Sequence, residues 1–486
     1  MSRSRFVRAN YAVNATPQFS MLSADQCATI VNSAMEVLER TGADVRSEEA
    51  RRVLAEGGCW VEGERVRLPS SVVQWAIDRA PARVVVADRD GKRCLYLEES
   101  NVYFGPGPSA TYTLDAVTGE RRLAVKSDVE HAAVTIDALP NVSFAMDMGA
   151  ISDVPAETAD VHAFQALVEN TTKPIVQAAQ SPASCRAILD IAAAVRGGAQ
   201  ALRQNPYVVL YCESAPPLGH NADAIENAMA AARAGVPVVY TPCTFSGSVA
   251  PATMAGSLVV AVADFLVGLV AGQLACPGAA FIMGGLITTM QMQTSVISHG
   301  GPELSMLSAA LTAVAHSLRI PVFSAGGCSD AKIGDTQMAA EAAFSLLVAG
   351  LSGANLVHSM GHMESGLTSS LEMLVMDDEI IGMVKTILGG ITVDDDGMAV
   401  EAVDRIGPGG HFLGDDHTMA HFRDYWRPTL IDRYRYDGWV EQGSTDMGQR
   451  TRTKLAGILA DHRAPQLPAD VLQQIRDVVD RAAVAG

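Results

Sequence analysis

The sequence of 486 residues is short of positive charge and of aromatic side chains. Lysine and arginine total 36 against 54 aspartates and glutamates, which gives a net charge of −18. Binding to nucleic acid or to an anionic membrane needs a positive protein surface, so we expect neither as a partner. Aromatic residues make up only 5% of the chain, which favours closely packed helices and strands over a β-sandwich.

Paired cysteines and a targeting segment are also missing. The 8 cysteines are scattered and none forms a CxxC pair, which argues against a disulfide framework or a zinc ribbon. The first residues carry positive charge but no apolar core of signal-peptide length. The most apolar run, Met254 to Cys276, has Asp264 at its middle, so we expect a buried helix there. These features predict a soluble cytoplasmic protein with reduced thiols.

Residues 1–100 are predicted to form a small α+β region. A helical period begins after Ser23 and stops at Gly42. The segment from Arg83 to Leu97 alternates around Asp90-Gly91, a strong hairpin signal. No catalytic spacing is visible in this region. We expect it to act as a cap or an oligomerisation region, and a homo-oligomer is therefore expected.

From residue 101 onward, short apolar runs alternate regularly with helical stretches. Strand alternating with helix implies parallel pairing, and eight such units fit an α/β fold of the (β/α)8 TIM-barrel type over 101–391. A doubly wound open sheet is the alternative, which the lack of an early GxGxxG weakens. Residues 392–486 are predicted to form a C-terminal arm and helix. The runs are Val102–Phe104, Val142–Met146, Pro174–Ala178, Tyr207–Tyr211, Val236–Tyr240, Ala279–Met283, Ile320–Phe323 and Ala354–Val357.

The ends of these runs place aromatic, acidic and imidazole side chains at the barrel mouth, where barrel enzymes keep their active sites. Aromatic faces and nearby carboxylates both stabilise a positive charge, so the mouth suits a cationic, methyl-rich ligand. An alternative is that the aromatic rings merely pack the rim. The substrate-binding candidates are Phe104, Asp147, Glu213, Tyr240, Asp330 and Glu364.

His358 directly follows the eighth run and is the candidate catalytic residue. Lys332 invites a Schiff-base interpretation, as in a barrel lyase or aldolase. Its neighbours Asp330 and Asp335 would hold it charged, so a structural ion pair is favoured. A phosphate cradle at Gly326-Gly327 is a minor alternative, because no cluster of lysine or arginine supports it.

No metal site is predicted. His417 and His421 have the i, i+4 spacing of zinc proteases, but Thr418 stands where that motif needs its glutamate. His411 lies nearby in a context that indicates packing. Cys328 and His358 alone do not make a zinc–thiolate site.

Several short motifs, spread in order over almost the whole chain, point to one family. They are Leu38-Glu39-Arg40-Thr41-Gly42, Tyr103-Phe104-Gly105, Thr118-Gly119-Glu120-Arg121-Arg122, Gly326-Gly327-Cys328-Ser329-Asp330-Ala331-Lys332, Ser352-Gly353-Ala354-Asn355, Gly410-His411-Phe412-Leu413 and His417-Thr418. In these residues the chain resembles the trimethylamine:corrinoid methyltransferase family.

The resemblance implies a (β/α)8 barrel that moves a methyl group from an amine to the cobalt of a separate corrinoid protein. Trimethylamine enzymes of this family carry pyrrolysine near the seventh strand, where this chain has Gly326-Gly327-Cys328. The chain therefore resembles the non-pyrrolysine branch, whose members demethylate quaternary amines such as glycine betaine. A lyase that uses Lys332 and a non-catalytic betaine-binding relative remain as competing hypotheses.

Overall fold

The structure, a computed structural model, describes residues 18–485. Residues 18–100 form helices and short strands. A capping box starts the first helix, because Ser23 accepts from the Gln26 backbone N–H while the Gln26 side chain accepts from Ser23. The elements are α1 (Ala24–Arg40), β1 (Ala43–Val45), α2 (Glu48–Glu56), β2 (Trp60–Glu62), β3 (Arg65–Arg67), α3 (Ser70–Arg79), β4 (Val84–Ala87) and β5 (Arg93–Leu97).

The predicted hairpin around Asp90-Gly91 is β4 paired antiparallel with β5. The Ala87 N–H donates to the Pro206 carbonyl and the Arg89 N–H to the Thr172 carbonyl, just before two strands of the main sheet. The hairpin thus covers the amino-terminal ends of those strands. Its apolar side chains join the buried interior of the sheet in one cluster: Val84, Val86, Leu95, Leu97, Phe144, Met146, Val176, Val209, Tyr211, Val239, Ile282, Phe323 and Leu356.

The main sheet is parallel and TIM-barrel-like, and its strands pair in the order β9, β10, β12, β13, β16, β17, β6. These strands are β6 (Tyr103–Pro106), β9 (Ile175–Ala178), β10 (Val208–Ser214), β12 (Val238–Ser246), β13 (Phe281–Gly284), β16 (Val322–Ala325) and β17 (Leu356–Met360). The short strand β11 (Gly219–His220) pairs with β1 of the N-terminal region. The other short strands are β7 (Tyr112–Leu114), β8 (Arg121–Leu123), β14 (Leu286–Gln291), β15 (Val296–Ile297), β18 (His362–Met363) and β19 (Thr368–Ser369).

The predicted second strand, Val142–Met146, is reduced to isolated parallel bridges. Val142 bridges Phe104 on one side, and Ala145 bridges Ile175 on the other. Backbone hydrogen bonds support both contacts, since the Ser143 N–H reaches the Phe104 carbonyl at 2.6 Å and the Val176 N–H reaches the Ala145 carbonyl at 2.9 Å. The segment therefore lies between β6 and β9 without the regular ladder of a full strand.

Helices alternate with these strands and cover the outside of the sheet. They are α4 (Lys126–Ala138), α5 (Ala159–Asn170), α6 (Pro182–Arg196), α7 (Ala199–Gln204), α8 (Ala222–Ala234), α9 (Met254–Ala275), α10 (Pro302–Ser317), α11 (Thr336–Ser352) and α12 (Leu371–Leu388). By length and composition α9 could cross a membrane. It is mostly buried and packs against α1, α3, α8 and β12, which fits a core helix.

The described C-terminal residues form six helices, and the last two of them pack on helices α4, α5, α6 and α12. The elements are α13 (Asp395–Met398), α14 (Val400–Ile406), α15 (Asp416–His421), α16 (Tyr436–Glu441), α17 (Met447–Asp461) and α18 (Ala469–Ala485). Glu379 of α12 fixes the chain before α16: its buried carboxylate accepts from the backbone N–H groups of Thr429, Leu430 and Ile431 at 2.8 to 3.1 Å. Burial acts to raise the pKa of Glu379, but these donors and the Thr429 hydroxyl outweigh it and hold the pKa below its usual value.

We expect Glu379→Ala to lower the free energy of unfolding by about 3 kcal/mol, because buried N–H groups lose a charged acceptor. Glu372→Ala is the matched control on the same helix. Glu372 is partly exposed and meets Arg452 at 3.5 Å, so its loss should cost less than about 1 kcal/mol. Urea titration of both variants measures the difference, and equal losses would contradict the assigned role.

Candidate active site

His358 lies inside the parallel sheet, near the carboxyl end of β17, and is 2% exposed. Its Nδ1 donates to the Ser324 carbonyl oxygen at 2.7 Å, so the neutral ring keeps its lone pair on Nε2. Burial lowers the pKa of His358 to about 4 against the opposing effect of the Ser324 carbonyl. The imidazole is therefore uncharged at neutral pH.

Aromatic side chains continue from His358 across the interior of the sheet. The His358 ring stacks on Phe323, with centroids 4.1 Å apart and planes at 20°. Phe323 in turn contacts Tyr211, at 5.9 Å between centroids, and Phe144, at 6.5 Å. Phe323 is fully buried and holds the other rings in place. Tyr211 and His358 thus both pack against Phe323.

Glu213 follows Tyr211 by two residues and therefore lies on the same face of β10. The Tyr211 hydroxyl donates to Glu213 Oε2 at 3.3 Å. Cys243 of β12 also contacts both side chains, and burial raises the pKa of its thiol, so the sulfur stays protonated. Glu213 itself is exposed although its neighbours are buried. This part of the site offers a carboxylate beside an aromatic ring.

The structure corrects two of the predicted binding residues, Phe104 and Tyr240. Phe104 pairs in register with Val357, one residue before His358, so it points to the opposite face. It is fully buried close to Gly350 of α11. Tyr240 is likewise fully buried in the outer layer, where its ring packs on Gly268 of α9. Both rings fill the core between strands and helices.

The outward direction of Tyr240 follows from the register of its strand. Tyr240 pairs with Cys212, whereas Glu213 pairs with Thr241, so Tyr240 and Glu213 face opposite sides. The Tyr240 hydroxyl hydrogen-bonds His220 Nδ1 at 2.8 Å. The error arose because strand β12 runs on to Ser246, so the end of the apolar run is not the end of the strand.

Asp147 lies at the mouth, but its carboxylate is hydrogen-bonded to Ser109 of the same chain. Its carboxylate accepts from the Ser109 backbone N–H at 2.5 Å and from the Ser109 hydroxyl at 2.8 Å. Burial raises the pKa of Asp147 to about 6, more than these donors lower it. Asp147 borders a cavity of about 260 Å³ that also contacts Thr113, His131 and Leu459, on the side of α4.

Asp330 joins three loops at the mouth. It accepts from the Ser298 hydroxyl at 2.7 Å, the His299 N–H at 2.8 Å and the Ser365 hydroxyl at 3.2 Å. The loop that carries Asp330 is fixed by Glu341 of α11, which accepts from the Ser329 hydroxyl at 2.6 Å. The carboxylate of Asp330 therefore binds protein donors and shapes the mouth.

The Glu364 carboxylate likewise binds groups on neighbouring segments of the chain. It pairs with Arg121 of β8 at 2.7 Å and accepts from the Thr368 hydroxyl at 2.6 Å. Arg121 lies over the Tyr112 ring, 3.5 Å from its centroid. Burial acts to raise the pKa of Glu364, but Thr368 and Arg121 together hold it below its usual value. Glu364 thus ties the loop after β17 to the β7–β8 hairpin.

Two further histidines, which the sequence analysis did not select for catalysis, complete the cluster around His358. Burial lowers the pKa of His299 to about 4, against the opposing effect of Asp330. Burial also lowers the pKa of His362 to about 3, and positive charge on His299 or His358 acts in the same direction. Both ring nitrogens of His299 and the Nε2 of His362 are buried without a hydrogen-bond partner among the described residues. Unpaired buried nitrogens of this kind indicate a place for a polar ligand group or water.

The alternative sites lose their support in the described structure. Lys332 is exposed, and its Nζ donates to the Asp330 backbone carbonyl at 2.6 Å. The ion pair expected for Lys332 is not among the salt bridges of residues 18–485. Both glycines of the suggested phosphate cradle have engaged N–H groups: Gly326 donates to the His358 carbonyl at 2.9 Å and Gly327 to Ser345 Oγ at 3.0 Å.

Comparison with known proteins finds relatives that match this α/β chain over nearly its whole length. Residues 2–486 match the family described as trimethylamine methyltransferase (MTTB). The trimethylamine methyltransferase MttB of Desulfitobacterium hafniense is 32% identical over 462 residues, covering 94% of this chain and 93% of the relative. The glycine betaine methyltransferase of Desulfitobacterium hafniense strain Y51 is 31% identical over 458 residues, covering 94% and 95%.

Among solved structures, the Methanosarcina barkeri monomethylamine methyltransferase is similar with a TM-score of 0.43 and 13% identity, covering 89% of this chain and 93% of that one. The sequence matches extend over nearly the full length of this chain and of both relatives. The family resemblance carried by the short motifs is therefore confirmed. The chain belongs to the trimethylamine methyltransferase (MTTB) family of methyltransferase enzymes.

Proposed function

We propose that this chain transfers a methyl group from a small quaternary amine, of the glycine betaine type, to the cobalt of a corrinoid carried by a separate protein. The observation that carries the proposal is the inward-facing group of Tyr211, His358 and Glu213, which offers aromatic faces and a carboxylate at one end of the sheet. We place the enzyme in the cytoplasm.

The proposal also rests on a closed (β/α)8 barrel. Parallel pairing joins β9 to β6 through five intermediate strands, and the bridges of Val142 and Ala145 occupy the one remaining gap. We infer that residues 142–148 act as the second barrel strand. The inward side chains then converge on one mouth, as they do in barrel enzymes.

A quaternary ammonium fits the charge of this site. The ring of Tyr211 attracts a cation through its negative face, and the exposed Glu213 carboxylate adds direct charge attraction. His358 does not oppose the cation, because its low pKa keeps it neutral. We assign one ring N–H of His299 and one of His362 as the donors to the carboxylate tail of a betaine.

The donor's own chemistry removes the need for an acid catalyst. When the methyl leaves, its bonding electron pair stays on nitrogen, and the product is a neutral tertiary amine that needs no proton. The partner's corrinoid, as methyl acceptor, supplies the nucleophilic electron pair of Co(I). The residues of this chain bind the cation and point one methyl outward, which is catalysis by orientation.

The two relatives differ in the named methyl donor, trimethylamine in one and glycine betaine in the other, at almost equal identity. The residues at the seventh strand favour glycine betaine as the type of methyl donor. By the family resemblance, trimethylamine enzymes carry pyrrolysine near the seventh strand, and this chain has Gly326-Gly327-Cys328 in that neighbourhood. Cys328 is fully buried, and burial raises the pKa of its thiol. A donor that needs no added electrophile suits this chain best.

The direct test is methylation of cob(I)alamin by the purified chain, with glycine betaine, carnitine, proline betaine and trimethylamine as separate donors. We expect turnover with at least one quaternary amine and none with trimethylamine. Binding of a betaine without any methylation, even with a corrinoid protein that other methyltransferases use, would indicate a non-catalytic relative. Turnover confined to trimethylamine would contradict the proposed donor.

Glu213→Gln should raise the KM for the quaternary amine about tenfold, equivalent to about 1.4 kcal/mol, because the cation loses its carboxylate. Tyr240→Phe is the matched control, since Tyr240 lies on the outer face and should alter KM less than about twofold. Steady-state kinetics of the two variants show whether the donor binds on the inner face with Glu213 or on the outer face with Tyr240. A larger effect from Tyr240→Phe would mean that the outer face binds the donor.

His358→Ala should lower kcat/KM by about 10- to 100-fold, because the donor loses the wall of its pocket that holds it in the reactive orientation. The Nδ1 bond to Ser324 is lost as well, so circular dichroism should confirm an unchanged fold. A folded His358→Ala enzyme with wild-type kcat/KM would remove this residue from the site.

A further inference from the structure

Outside the barrel mouth, the C-terminal residues bring two histidines and an aspartate together. His417 and His421 lie one turn apart on α15, with ring centroids 4.4 Å apart. Asp396 of α13 faces them from a separate helix. One ring nitrogen from each histidine and one carboxylate oxygen of Asp396 all lie within 4.8 Å of one another.

One pair of ligand atoms already has the separation found in a tetrahedral metal site. With metal–nitrogen and metal–oxygen bonds of about 2.0–2.2 Å, neighbouring ligand atoms around a tetrahedral zinc ion stand roughly 3.3 to 3.5 Å apart. The His421 Nε2 and Asp396 Oδ2 atoms are 3.3 Å apart. His417 needs only a small side-chain rotation to complete the set, since every ligand pair already lies within 4.8 Å.

The second nitrogen of His421 is oriented by a carboxylate. His421 Nδ1 lies 2.9 Å from Asp424 Oδ2, which leaves Nε2 directed at Asp396. Metal-binding histidines usually donate their other N–H to a carboxylate or backbone carbonyl in this way. His417 Nε2 contacts the Asp396 backbone carbonyl at 2.9 Å, so the ring is already held against α13.

We propose that Asp396, His417 and His421 bind a divalent transition-metal ion such as Zn²⁺. Two imidazoles and one carboxylate favour zinc over calcium or magnesium, which prefer all-oxygen ligands. Asp396 is exposed and the histidines are partly exposed, so the ion reaches the site directly from solvent. A solvent molecule takes the remaining position.

The bound ion ties α13 to α15 and so fixes the chain between them. That connection runs through α14 and an exposed loop, and Arg405 at its middle pairs with Asp415 at 2.7 Å. From the sequence alone, this histidine pair is not expected to bind a metal, because Thr418 stands in place of a catalytic glutamate. The structure supplies a different third group, Asp396, which makes the site a structural one independent of methyl transfer.

The test is calorimetric titration of the chelator-treated full-length chain with ZnCl₂. We expect one tight site, at least about 100-fold weaker in His421→Ala and about 10- to 100-fold weaker in Asp424→Asn, which removes the orienting carboxylate. The control His411→Ala changes a histidine outside the cluster and should leave the affinity unchanged. Asp396→Asn provides a second ligand variant, should His421→Ala not fold.

A proteolysis assay gives an independent measurement. Zn²⁺ should slow trypsin cleavage after Arg405 in the wild-type chain and in His411→Ala, but not in His421→Ala or Asp396→Asn. The proposal is overturned if the wild-type chain binds no Zn²⁺. It is equally overturned if the ligand variants retain wild-type affinity, which would place the ion on other residues such as the cysteines.

Discussion

Each strand of a parallel sheet presents alternate side chains to its two faces, and this alternation decides which residues of the chain reach the site. On the inner face it aligns Tyr211 and Glu213 on β10 with Phe323 on β16 and His358 on β17. On the outer face it sends Phe104 and Tyr240 into the helices. A shift of one residue in any strand would exchange these sets.

The carboxylates near the mouth divide into two groups by what they bind. Asp330 and Glu364 accept protein hydrogen bonds from neighbouring loops, and Glu364 also pairs with Arg121. Asp147 is buried and bound by Ser109, and burial raises its pKa to about 6. Glu213 accepts from Tyr211 at 3.3 Å and remains exposed. Beside the uncharged histidines, Glu213 is therefore the negative charge to which we propose that the quaternary ammonium binds.

Much of the fold could be predicted from the sequence, because the repeated alternation of apolar runs and helical periods can be recognised without knowing how the side chains pack. The hairpin at Asp90-Gly91 and the position of His358 followed from local turn and strand signals. The side-chain directions did not follow, because β10 and β12 extend past their apolar runs. Tyr211 could have been found from its two-residue spacing to Glu213. The approach of Asp396 to His417 is a tertiary contact that no local pattern indicates.

We propose that the methyl donor binds on the inner face of the sheet, between Tyr211, His358 and Glu213. A crystal structure of the chain with glycine betaine would show where the donor binds. The ammonium group should lie within about 6 Å of the Tyr211 ring centroid, the range of a cation–π contact, with Glu213 beside it. A betaine bound against Tyr240, or in the cavity beside Asp147 and His131, would contradict this account.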